Sequence, residues 1–80
     1  MTEDYVIYDP ELGSYAEFDL DYGVSVSFGS INHATGFNCP ERALDYMNGS
    51  TSPSGRVLVN RIDDLHNCVV RKRYMMAEDL

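Results

Sequence analysis

An α+β domain is the fold this sequence predicts: a single antiparallel β-sheet of four to five strands with one short helix packed on one face, in the order β-β-β-α-β-β. Three observations lead there. Ser14 to Tyr22 alternates with a period of two, apolar Ala16, Phe18, Leu20 and Tyr22 on one parity, Tyr15, Glu17, Asp19 and Asp21 on the other. That is the pattern of a half-buried strand. One stretch only, Asn38 to Gly49, carries good helix signals. The breaks between elements are short and made of Gly, Pro, Asp and Ser, the residues of tight turns.

Taken in order, Asp4–Asp9 is rich in Val, Ile and Tyr, which suit a pleated surface. Val6 and Tyr8 share one side and Tyr5 and Ile7 the other, so this strand is expected to be covered on both. Asp9-Pro10-Glu11-Leu12-Gly13 supplies a turn: Pro10 presets φ, Asp9 can accept from the backbone ahead, and Gly13 takes a left-handed conformation. Residues 4–9 and 14–21 should therefore form an antiparallel hairpin. After Tyr22-Gly23, the alternation of Val24, Val26 and Phe28 with Ser25 and Ser27 predicts a third strand. Ser30–Gly36 reads as irregular, anchored by Ile31, Ala34 and Phe37.

The helix is expected to start with Asn38 or Cys39 as N-cap, Pro40 in its first turn and Glu41 at the positive end of the dipole. Ala43, Leu44 and Met47 form its apolar stripe, with Tyr46 at the margin, and Asn48-Gly49 stops it. Ser50–Gly55 reads as a flexible polar loop. Arg56–Ile62 reads as a strand, Asp63-Asp64 as a turn, and Asn67–Met75 as the strand completing a second hairpin with 56–62. Residues 76–80 should be frayed. Eighty residues make one domain, 1–80, with room for one modest core.

Composition narrows the function classes. An apolar fraction of 44% argues for a folded chain. No apolar run approaches the roughly 18 residues of a membrane span, and the start Met1-Thr2-Glu3-Asp4 does not resemble a signal peptide. A soluble protein of the cytoplasm is the expectation. The net charge of −7 divides unevenly: residues 1–41 hold eight acids and no Lys or Arg (−8), and residues 42–80 hold six bases against five acids (+1). Such a field repels nucleic acid and anionic membranes and speeds encounter with basic surfaces.

Motifs for catalysis and cofactors are missing. His33, Cys39, His66 and Cys68 lack the knuckle spacing of a zinc site, so no metal or other cofactor is expected. Cys39, near a helix start, has no sequence partner marking a Cys-His pair, and a packing role for both thiols is favoured, a single Cys39–Cys68 bridge remaining open. Gly23, Gly29 and Gly36 match no phosphate loop. The basic run Arg71-Lys72-Arg73 either touches a partner or pairs with neighbouring acids in the sheet. No enzymatic activity is expected.

The wet face of the second strand remains. Glu17, Asp19 and Asp21 stand about 6.6–6.8 Å apart, from the strand rise, close to the stride of phosphates along one nucleic-acid strand. Tyr15 heads the row, and Tyr is enriched at binding interfaces.

The Tyr-Val-Ile opening strand, Gly turn, second aromatic strand, F-x-C-P-E-R-A-L-x-Y-M segment and Val-rich return strand, over roughly residues 4–62, resemble in size and pattern many small acidic bacteriophage-encoded accessory proteins. Among these are anti-CRISPR and anti-restriction inhibitors and inhibitors of host transcription, some of them acidic DNA mimics. The resemblance implies a non-enzymatic inhibitor in the host cytoplasm, binding a basic, nucleic-acid-binding groove on a host protein and not binding nucleic acid itself. It brings no site residues with it. On the residues of this chain, Tyr15, Glu17, Asp19, Asp21 and Tyr22 are the expected partner-binding set. The alternative is a structural or assembly module that binds through a sheet edge or the helix-free face.

Overall fold

The computed structural model describes residues 2–19 and 25–75. In chain order the elements are β1 (Thr2–Asp9), β2 (Ser14–Asp19), β3 (Ser25–Gly29), α1 (Pro40–Asn48), β4 (Ser50–Thr51), β5 (Val57–Val59) and β6 (Val69–Met75), with single 3-10 turns at Ile31–His33 and Asp63–Leu65. Strands β3-β2-β1-β6 form one antiparallel sheet in that order, and β4 and β5 form a separate two-stranded ribbon. The α+β class with one helix is as the sequence predicts. The expected frayed tail, 76–80, and the end of the second strand, 20–22, lie outside the described residues.

Strand β1 is central, and Val6 and Ile7, on opposite sides of it, are both fully buried. Ile7 belongs to the main core with Ala16, Phe37, Ala43, Leu65 and Cys68. The turn after β1 forms as its residues dictate. The Asp9 carboxylate accepts from the backbone N–H groups of Glu11 (2.9 Å) and Leu12 (3.2 Å), the Gly13 N–H donates to the Asp9 carbonyl (2.8 Å), and Gly13 has φ +67°.

The β1–β2 ladder is shorter than the alternation suggests. It holds at Tyr8↔Tyr15 and Asp9↔Ser14, and then the strands part. Residues 34–37 fill the gap. Phe37 exchanges backbone hydrogen bonds with Tyr5 (2.9 and 2.8 Å), the Thr35 N–H donates to the Ala16 carbonyl (3.1 Å), and the Thr35 hydroxyl oxygen accepts from the Phe18 N–H (2.8 Å). Ala34 and Phe37 are buried as expected, whereas Ile31 is exposed.

The expected hairpin between 56–62 and 67–75 does not form. Strand β6 instead runs along the other edge of β1, from Thr2↔Met75 to Tyr8↔Val69. That seven-residue ladder sets Glu3 and Asp4 beside Lys72 and Arg73, a longer and better charge-matched pairing than β5 could give. Strand β5 folds back on β4 through Ser52–Gly55, so the stretch expected as a flexible loop is a tight turn. Ser52 donates to the Arg56 carbonyl (2.8 Å), Gly55 donates to the Ser52 carbonyl (2.9 Å), and Gly55 adopts φ +88°.

Helix α1 begins after Cys39, whose extended backbone makes no side-chain cap, and stops at Gly49 (φ +78°), whose N–H reaches the Asp45 carbonyl at 2.7 Å. Its buried stripe is Ala43, Tyr46 and Met47 rather than Ala43, Leu44 and Met47. Tyr46 packs edge-on to Phe18 (5.1 Å between centroids) and against Phe37 (5.6 Å). Leu44, at 100° from Ala43 on the helical wheel, falls on the rim and is exposed.

One polar cluster ties the chain ends together. Arg73 donates from Nε to Asp4 Oδ1 at 2.9 Å and from Nη2 to Oδ2, while its Nη1 donates to the carbonyls of Ile31 (2.7 Å) and Ala34 (3.0 Å). Both side chains are largely buried, 11% and 15% exposed. Gly36 lies against this clasp: a Cβ there would overlap the Asp4 carboxylate and come within 2.9 Å of Arg73 Nη2.

Candidate protein-binding face

The side of the sheet away from α1 is assembled by register. Tyr8 and Tyr15 are directly paired, so they share a face, and Glu17 and Asp19, two and four residues on, share it too. Across the ladder, Glu17 meets Ser27 and Asp19 meets Ser25, all four exposed. The two carboxylates therefore stand opposite serines on a hydrogen-bonded ribbon. Tyr15 is half-buried, its ring 4.7 Å from that of Tyr8 and tilted 46° to it. Of the five residues the sequence singles out, Tyr15, Glu17 and Asp19 fall on this one side, and Asp21 and Tyr22 lie outside the described residues.

The bases of β6 sit at the opposite side of β1 from β2. Lys72 lies 3.8 Å from Glu3, and Arg73 is held in the clasp with Asp4. Two members of the basic run thus pair with neighbouring acids in the sheet. Among the described residues, no ion pair joins any of them to Glu17.

Arg71 has a different role, which the sequence reading missed together with Tyr8. Arg71 is paired with Val6, two residues from the Val69↔Tyr8 pair, and its guanidinium carbon lies 4.0 Å from the Tyr8 ring centroid. A cation over an aromatic face is attracted by the ring quadrupole. The face is therefore graded: Val69, Arg71, Tyr8 and Tyr15 at one end, Glu17 and Asp19 along β2. The parity of Val6 and Tyr8 was readable, but placing Arg71 over Tyr8 needed the pairing of the first strand with the last.

The reactive side chains are dispersed. His33 and His66 are exposed in 3-10 turns, His66 Nδ1 lying 2.9 Å from the Asp63 carbonyl oxygen. His66 caps the Asp63–Leu65 turn and is not part of a strand. Both cysteines are free thiols. Burial, and secondarily the negative charge of Asp9, push the Cys68 thiol up from 9.0 to about 11, opposite to what a nucleophile needs. Among the described residues no group of three or more His, Cys, Asp or Glu side chains gathers to hold a metal ion. A hollow of about 580 Å³ opens beside the end of β5, lined by Tyr46 and residues 58–62. Among the described residues, the ionisable groups lining it are Tyr46 and Arg61, and Arg61 is 3.5 Å from Asp63.

No family model, curated protein or solved structure matches the chain. No helix among the described residues is long and apolar enough to cross a membrane.

Proposed function

We propose that the protein is a non-enzymatic inhibitor of the bacteriophage type, which docks the acidic side of its first hairpin on a basic, nucleic-acid-binding surface of a host protein. A CRISPR or restriction nuclease or RNA polymerase is the class of target, and the acidic row acts in place of nucleic-acid phosphates. The observation that carries this reading is the placement of charge on the sheet: Glu17 and Asp19 are exposed on β2, and two of the three bases of β6, Lys72 and Arg73, are engaged by Glu3 and Asp4 of β1. Residues held on a ladder keep their spacing, so charge complementarity is preorganised and binding does not have to order them. Asp21 and Tyr22 extend the row in sequence and are part of the proposal. The acidic field also suits action in the host cytoplasm on a basic partner rather than on nucleic acid itself.

The test is capture from bacterial lysate on the immobilised protein and on its Glu17→Gln/Asp19→Asn/Asp21→Asn variant. The reading expects a nucleic-acid-binding protein retained by the first and not the second, and released by competing DNA or RNA. Equal retention by both would remove the acidic face from the function.

A second reading, an assembly module, is favoured by one observation. Val57 and Leu58, successive residues of β5 and so on opposite sides of the ribbon, are 56% and 62% exposed. It expects salt-insensitive self-association by gel filtration, abolished by Leu58→Ser.

A further inference from the structure

Beyond the acids, the same face carries a cluster that lies outside the main core: it flanks Val6, which is fully buried on this side, and it leaves Arg71 and Val69 exposed. Tyr8 and Tyr15 turn their rings to each other on the side away from the main core, and Arg71 lies over Tyr8 with Val69, 44% exposed, beside it. None of the four belongs to the buried core or to the half-buried side chains packed on it. Tyr supplies large contact area with little side-chain entropy to lose, and Tyr and Arg are enriched in interface hot spots. Here the guanidinium is already oriented by the ring beneath it.

We infer, on the footing of the proposed function, that Tyr8, Tyr15 and Arg71 are the anchor of the docking face, and that they receive an apolar or aromatic side chain of a protein partner flanked by Lys or Arg. Charge complementarity decides the occupant. The net charge of −7 and the exposed Glu17 and Asp19 next to Tyr15 select a basic surface. The tyrosine pair demands something a chain of phosphates lacks, an apolar group to desolvate it. The partner is thus a protein surface with an apolar centre and a basic rim. Glu17 and Asp19 would govern encounter and salt dependence, and the Tyr-Arg cluster would govern how long the complex lasts.

Two synthetic peptides serve as probes, one with lysines around a central phenylalanine and one with glycine at that centre. Their affinities are measured by fluorescence anisotropy at low and high salt, with thermal melting to confirm that each variant folds. The wild-type protein should prefer the phenylalanine peptide by about five- to tenfold, and the preference should persist at high salt. Arg71→Ala, at an exposed position, and Tyr15→Ser should each reduce it to near unity. Glu17→Gln/Asp19→Asn should weaken both peptides alike and leave the preference intact. No preference in the wild type, or a preference unaffected by both Arg71→Ala and Tyr15→Ser, overturns the inference. If instead the acid variant binds both peptides as the wild type does, the acidic reading fails while the anchor stands. Failure of both peptides to bind at all overturns both.

Discussion

Replacing Arg73 by Ala should be among the most damaging single changes on the surface of this protein. The guanidinium makes two bonds to Asp4 and one each to the carbonyls of Ile31 and Ala34. Its removal leaves the Asp4 carboxylate, only 15% exposed, without a counter-charge and two carbonyls without a donor. Breaking a buried pair from one side costs about 3–5 kcal/mol. Because water can reach part of this site, the lower end, about 3 kcal/mol, is the expectation. An 80-residue domain has roughly 4–12 kcal/mol of stability in all. The melting temperature should then fall by roughly 12–24 °C, at about 4–8 °C per kcal/mol for a domain of this size. Lys72→Ala is the control: its contact with Glu3 is 3.8 Å long between side chains 41% and 50% exposed, and should be worth less than about 0.5 kcal/mol. Thermal and urea unfolding followed by circular dichroism measure both. An Arg73→Ala variant within about 1 kcal/mol of wild type, or one no worse than Lys72→Ala, would refute the argument that the clasp joins the two ends of the chain.

Other outcomes follow from the same contacts. Gly36→Ala should destabilise through the clasp rather than the backbone, by about 2–4 kcal/mol, and a double variant with Arg73→Ala should lose much less than the sum in urea melts. Asp9→Ala removes the acceptor for two turn N–H groups and should cost about 1–2 kcal/mol, read by the same unfolding curves. The raised Cys68 value gives a pH window: below 9.0 the thiol is neutral folded or unfolded, and between 9.0 and about 11 only the unfolded chain gains by ionising. Stability should therefore fall over that window more in wild type than in Cys68→Val, and an equal fall in both would show that burial of this thiol is not linked to pH.

How far the fold could be read in advance depended on whether its signals were local. The alternation of Ser14–Asp19, the Asp9-to-Gly13 turn and the Pro40-to-Gly49 helix are each specified within a few residues, and each formed near its expected place. Strand pairing is not local. A period of two says which residues share a side and nothing about which strand lies next door, so β6 was assigned to 56–62 when its partner was β1, 69 residues away at the Asp4–Arg73 pair. The complementary ends, Glu3-Asp4 and Lys72-Arg73, were the one hint. Leu44 and Tyr46 exchanged roles because a two-turn helix can be rotated to seat a large ring between Phe18 and Phe37. On the candidate face, Tyr15, Glu17 and Asp19 were legible from parity, whereas Tyr8 and Arg71 joined them only through the register.

The most direct measurement is the slope of log affinity against log salt for the captured partner, with wild type and with Glu17→Gln/Asp19→Asn/Asp21→Asn side by side. A preorganised acidic ribbon predicts a steep slope in the first that flattens in the second, both chains melting alike. Parallel lines for the two proteins would contradict it.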